Sequence, residues 1–170
     1  MNSNKNLVLI GMMGSGKSII GSLLSESLNL KFKDVDKIIE KEAGFKILEI
    51  FKKEGENYFR KLEEKVTLQL LNSQNTVVSL GGGGFINKNI RNQVLKCHLS
   101  FWLHWKHSTL INRIIQSKKR PIAFNSSVNK IKQIIIDRSK LYSMANFKIN
   151  CENLSKNEII NKIKDIYEKN

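Results

Sequence analysis

Gly11-Met12-Met13-Gly14-Ser15-Gly16-Lys17-Ser18 matches G-x-x-x-x-G-K-[ST] at every fixed position. An apolar run, Leu7 to Ile10, precedes it, and an amphipathic stretch from Ser18 to Leu28 follows. That strand–loop–helix setting gives the motif its meaning. Glycines let the backbone turn tightly, so several N–H groups converge on one concavity at a helix N-terminus and hold phosphate oxygens. Lys17 then reaches the outer phosphates, and the Ser18 hydroxyl is placed to ligate Mg²⁺. A glycine-rich turn without a ligand is the plain alternative, and the flanking strand and helix argue against it.

Outward from this loop, apolar stretches with strand character alternate with stretches of helical period. Lys31 to Asp36 reads as a short strand ending in Asp34 and Asp36, and alternation puts both carboxylates on one face. Lys37 to Lys53 has helical spacing interrupted at Gly44, and Gly55 opens a further helix running to about Ser73. Thr76 to Leu80 is a third strand, entering Gly81-Gly82-Gly83-Gly84. A helix over 87–95, a strand over 99–103, a helix over 108–116, a helix over 128–142, a strand over 147–150 and a helix over 155–167 complete the chain. Residues 118–127 break the periodicity. Such alternation predicts a parallel sheet covered on both faces, with ligands beyond the carboxyl ends of its strands. The phosphate loop, Asp34 and Asp36, and the glycine run all fall on that rim. The third strand ends without a carboxylate, which leaves Asp34 or Asp36 as the metal's second partner.

The 170 residues suit one domain. No apolar run reaches about 18 residues, so no membrane span is expected. Met1 to Lys5 has no signal-peptide layout. Cys97 and Cys151 lack metal-ligand spacing and read as reduced, partly buried thiols of a cytosolic protein. The net charge of +14 raises a nucleic-acid reading. It is discounted because the lysines are scattered and no basic-aromatic platform accompanies them. Of the 29 basic residues only five are arginine: Arg60, Arg91, Arg113, Arg120 and Arg138. In a chain that uses lysine wherever a charge suffices, an arginine marks a place for its planar fork on carboxylate or phosphate.

Several blocks now stand in order: the phosphate loop; Phe32-x-Asp34-x-Asp36; Glu54-Gly55-Glu56-x-x-Phe59-Arg60-x-x-Glu63; Ser79-Leu80-Gly81-Gly82-Gly83; Arg120-Pro121; and Arg138-x-x-Leu141-Tyr142. Together they closely resemble the shikimate kinases over nearly the whole chain. The resemblance implies a three-layer α/β/α P-loop fold of the nucleoside-monophosphate-kinase kind, with a central five-stranded parallel sheet and a mobile lid. It implies a single domain over 1–170, a lid near 113–127 and an acceptor-binding helical region near 35–62. It implies ATP-dependent phosphorylation of the shikimate 3-hydroxyl, in a cytoplasmic monomer using one Mg²⁺, without nucleic acid or membrane as partner.

Residue by residue, Gly14, Ser15, Gly16, Lys17, Ser18 and Ile19 would line the ATP phosphate site. Ser18 and Asp34 would serve the metal, and Asp36 the acceptor hydroxyls and the proton. Arg60, Arg138 and Gly82 would hold the acceptor. Arg113 would lie along the adenine, and Arg120 would reach the phosphates from the lid. The chain departs from the family pattern at Ile19, expected on a buried face, at Gly84, in the lid sequence Pro121 to Phe124, and at Cys151-Glu152-Asn153, where the family often has a basic residue. A related P-loop kinase such as a gluconate kinase, or a nucleotide-dependent nucleic-acid-binding module, are the alternatives.

Overall fold

Leu7–Ile10 form strand β1, and all four side chains are fully buried. A strand apolar on both faces has to be central to a covered sheet. The computed structural model describes residues 5–117 and 126–170. After β1 come α1 (Lys17–Leu28), β2 (Lys31–Asp34), α2 (Val35–Ala43), α3 (Ile47–Leu71), β3 (Thr76–Ser79), a short 3-10 turn (Gly84–Ile86) and α4 (Lys88–Cys97). β4 (Leu99–His104), α5 (His107–Ser117), α6 (Val128–Tyr142), β5 (Phe147–Asn150) and α7 (Lys156–Tyr167) follow. The five strands are parallel in the order β2-β3-β1-β4-β5. β1 thus lies between β3 and β4, and the glycine run after β3 emerges beside the phosphate loop.

The sheet divides the core into two layers. Val8, Ile10, Val78 and Trp102 face α2, α3, α4 and α6. Leu7, Leu9, Phe101 and Ile149 face α1 and α7. Strands of four to six residues form short ladders, so burial of about 1.5–3 kcal/mol per apolar side chain on both faces is the larger stabilising contribution. Trp105, just beyond β4, packs against both layers. At the opposite end of the sheet, Asn6 is fully buried. Its amide donates to the carbonyls of Leu71 and Ser73 and accepts from the Thr76 N–H, and its backbone N–H donates to His98 Nδ1 at 3.4 Å.

Two expectations needed revision at the level of elements. β2 stops at Asp34 rather than Asp36, because Asp34 caps α2: its Oδ1 accepts from the Lys37 N–H at 3.2 Å, and the chain turns helical there. Asp36 therefore sits in the first turn of α2, and the two carboxylates do not share a strand face. The break expected at Gly55 is present as a kink inside α3, where φ is 80° and ψ 172°, a conformation essentially reserved for glycine. Cys151 is buried and Cys97 is exposed, against the expectation that both would be partly buried. No described helix is long and apolar enough to cross a membrane.

Candidate functional site

The loop after β1 closes on itself through Lys17. This side chain is buried, and its ammonium donates to the carbonyls of Gly11 at 2.8 Å and Met12 at 3.0 Å. One residue on, Ser18 Oγ donates to Asp34 Oδ2 at 2.5 Å. That pair of oxygen donors joins the start of α1 to the end of β2 on the wall of a cleft formed with Gly14, Gly16, Lys17 and Asp36. Hard oxygen donors, few in number and beside a phosphate cradle, suit Mg²⁺, which keeps most of its shell for water and phosphate oxygens. Among the described residues no group of three or more His, Cys, Asp and Glu forms a dedicated cage. Ile19 is 53% exposed, contrary to the expectation of burial. The buried stripe of α1 is Lys17, Ile20, Gly21, Leu24 and Ser25, so the helical period turns Ile19 outward onto the ligand cleft.

A second cleft is lined by Asp36, Phe51, Phe59, Arg60, Gly82 and Arg138, among others. The Arg60 fork donates from Nη1 to Glu63 Oε2 at 2.7 Å and from Nη2 to Glu56 Oε1 at 3.0 Å. Phe59 and Phe51 lie beneath it, 5.1 and 5.9 Å from ring centroid to Cζ. Burial disfavours charge on the half-exposed guanidinium, but Glu63 and Glu56 more than offset that, and its pKa is raised. Glu63 is buried, which pushes its carboxyl above the ordinary range although Arg60 pulls it down. Arg138 Nη1 and the Tyr142 hydroxyl both donate to the Gly82 carbonyl, at 3.1 and 2.5 Å. Burial pushes the Tyr142 phenol up to about 12, so it stays a donor.

The glycine run now has a steric reason. A Cβ on Gly81 would lie 2.5 Å from Glu63 Oε1 and 2.7 Å from Asp36 Oδ1. On Gly83 it would overlap the Arg60 guanidinium. Gly81 and Gly83 are bare backbone because charged side chains press against them.

A third cleft runs from Gly14 to Gly16 past Ile19 to Trp105, Arg113, Leu154, Ser155, Lys156 and Ile159. Arg113 Cζ stands 3.8 Å from the Trp105 ring centroid and Nη1 donates to the Gly14 carbonyl at 3.2 Å. Trp105 Nε1 donates to the Ser15 carbonyl at 3.0 Å. Both side chains brace the loop from outside.

The structure therefore brings together Gly14 to Ile19, Asp34, Asp36, Arg60, Gly82, Arg113 and Arg138. Arg120 lies outside the described residues, as do 118–125 of the expected lid; residues 113–117 are the last turn and a half of α5. Glu63 and Tyr142 stood in the sequence blocks without a role, and Trp105 and Lys156 were missed. Trp105 follows a strand directly on the ligand rim, and Tyr142 is one helical turn beyond Arg138; both signals were available. Arg91, the fifth arginine, donates to the carbonyls of Phe85 and Ile86 and is structural.

A sequence model described as shikimate kinase matches residues 13–168. The chain belongs to the shikimate kinase family. The shikimate kinase of Sulfurihydrogenibium sp. (strain YO3AOP1) is 40% identical over 159 residues, covering 94% of this chain and 95% of its own. In three dimensions the chain is similar to a shikimate kinase from Acinetobacter baumannii solved in complex with shikimate, with TM-score 0.92, 27% identity and coverage of 99% and 95%. It is likewise similar to the shikimate kinase of Aquifex aeolicus, with TM-score 0.87, 37% identity and 96% of each chain covered. The family is a transferase family using ATP, and the α/β fold with five parallel strands agrees with it.

Proposed function

We infer that this chain transfers the terminal phosphoryl group of ATP to the 3-hydroxyl of shikimate, with the residue roles that follow. The observation that carries the reading is the position of Asp36. It lines both the cleft holding Lys17, Ser18 and Asp34 and the cleft holding Arg60 and Arg138. A carboxylate on the wall between a phosphate cradle and a second cleft is where an acceptor hydroxyl has to be oriented. The relative solved with shikimate supports assigning that second cleft to a hydroxylated carboxylate.

Phosphoryl transfer asks for in-line positioning and for charge neutralisation on the moving group. The loop N–H groups and Lys17 hold the phosphates, Lys17 exchanging its carbonyl partners for phosphate oxygens. Mg²⁺ held at Ser18 and Asp34 supplies further charge neutralisation when bound. Arg60 and Arg138 grip the acceptor carboxylate, Gly82 supports the acceptor, and Asp36 orients the hydroxyl and accepts its proton late in the transfer, where strong basicity is unnecessary. Trp105 and Arg113 flank the base. Arg120 keeps a role at the phosphates, and 113–127 a role as lid, on the family motif alone. The reading takes the chain as a cytoplasmic monomer acting on small molecules.

ADP release measured with shikimate, with gluconate, with DNA and with no acceptor tests the reading. Stimulation by shikimate alone is expected. Equal release with gluconate would move the chain to another kinase activity, and DNA-stimulated release would overturn the small-molecule reading.

A further inference from the structure

Glu152 has a specific place in the structure. The nucleotide-base cleft opens beside the phosphate loop and the start of α1 and is walled by two further segments. One is the end of β4 and α5, giving Trp105 and Arg113; the other is the loop from β5 into α7, giving Leu154, Ser155 and Lys156. Glu152 joins the two. Its Oε2 accepts from the Lys106 N–H at 3.0 Å, and its Oε1 accepts from the Thr109 hydroxyl at 2.9 Å. Lys106 follows Trp105 directly, Thr109 is one turn before Arg113, and Leu154 is two residues beyond Glu152.

The first residue of that loop is tied to the end of β4, its Cys151 N–H donating to the His104 carbonyl at 2.9 Å, and beyond it the loop bonds to itself. Leu154 N–H donates to the Cys151 carbonyl at 3.2 Å, and Asn153 takes a left-handed φ of 63°. Ser155 and Glu158 form a reciprocal capping box at the start of α7. Glu152 is the side chain that reaches across. Its charge also meets the N-terminus of α5, where a carboxylate is favoured, and it satisfies one backbone N–H and one side-chain hydroxyl there.

We propose that Glu152 is a positioning residue for the nucleotide: its carboxylate staples the loop Cys151–Ser155 to the start of α5 and so sets the distance between the two walls that clasp the base. The proposal rests on the nucleotide reading of this cleft. It predicts an effect centred on the base end of the ligand, because Glu152 bonds Lys106 and Thr109 directly and reaches the phosphate loop at second hand, through the Trp105 and Arg113 bonds to the Ser15 and Gly14 carbonyls.

The discriminating experiment compares ATP with inorganic tripolyphosphate, which has the phosphates and no base, on the full-length wild type, Glu152→Gln and Thr109→Val. In Glu152→Gln the KM for ATP should rise about tenfold, the loss expected for one charge-assisted hydrogen bond. Thr109→Val should give a smaller rise of the same kind. The tripolyphosphate inhibition constant, the shikimate KM and the kcat at saturating ATP should all stay within about twofold. Binding of a non-hydrolysable ATP analogue, followed by the fluorescence of Trp102 and Trp105 together, should weaken in parallel with the KM. An unchanged ATP KM and analogue affinity would overturn the proposal, and so would equal losses for ATP and tripolyphosphate, which would mark a general loosening of the fold. Failure of the functional reading is separately visible, as a wild type whose ADP release shikimate does not stimulate; the analogue and tripolyphosphate affinities still decide the role of Glu152 in that case.

Discussion

Arg60 shows what one residue has to be for this site to exist. Its guanidinium bonds two glutamates of α3, one a turn before it and one a turn after, and lies over two phenylalanine rings, with its side chain 30% exposed toward the cleft. A lysine retains the charge but is a single point, unable to hold Glu56 and Glu63 and present a flat edge at the same time. Arg60→Lys should therefore raise the shikimate KM by about tenfold or more, from the roughly 1.5–3 kcal/mol of a charge-assisted hydrogen bond, with a much smaller effect on kcat. Steady-state kinetics checks this, and an unchanged KM would remove Arg60 from acceptor binding. The scarcity of arginine in a lysine-rich chain had already singled this position out. Glu63 did not stand out in the same way, because one glutamate among many on a helix carries no sign that it will be buried.

α3 is the element whose local geometry most directly shapes the acceptor cleft. Its first half carries Ile47 and Phe51, its second half Phe59, Arg60 and Glu63, and Gly55 sets the angle between them. A Cβ on Gly55 would meet nothing within 4 Å, so a substitution there is strained through the backbone alone. Gly55→Ala should cost about 1–3 kcal/mol and lower Tm by about 3–10 °C in a chain of this size, with a raised shikimate KM as Phe51 shifts. A variant with unchanged Tm would show that the kink is not held in this conformation. Element identity was legible throughout, since the periodicities of strand and helix are long enough to read. What the sequence did not reveal was the hand-over at Asp34: alternation extends a strand through Asp36, while a capping hydrogen bond made in three dimensions ends it two residues earlier. Ile19 was misread for a related reason, since its side of α1 is settled by which face meets the sheet.

At the scale of the whole molecule, the end of the sheet remote from the ligands is sensitive to acid. Burial holds the His98 imidazole below its ordinary value of 6.5, and its Nδ1 accepts a hydrogen bond that a protonated ring would lose. The unfolded chain takes up that proton more readily than the folded one. Stability is therefore complete above about 6.5 and declines as pH falls from there toward the folded value. His104, lowered by burial and then by Lys148, adds the same sign. Glu63 acts oppositely: as an acid raised by burial it costs stability as pH rises past its unfolded value of 4.5. Thermal melts of the wild type should show Tm falling between roughly pH 7 and pH 5.5, and His98→Gln should flatten that slope; an unaltered slope would exclude His98 as its source. The division of the core by the sheet has a further consequence, for how such a chain can drift. Leu7 and Val8 are chain neighbours in different apolar layers, so a change of side-chain volume in one layer calls for compensation within that layer and leaves the other free to vary. Trp105 is where the two histories meet, because it packs against both. On the functional reading proposed above, a nucleotide beside that side chain would press on the two layers together, and the position is the one at which independent repacking of either layer would register in the ligand.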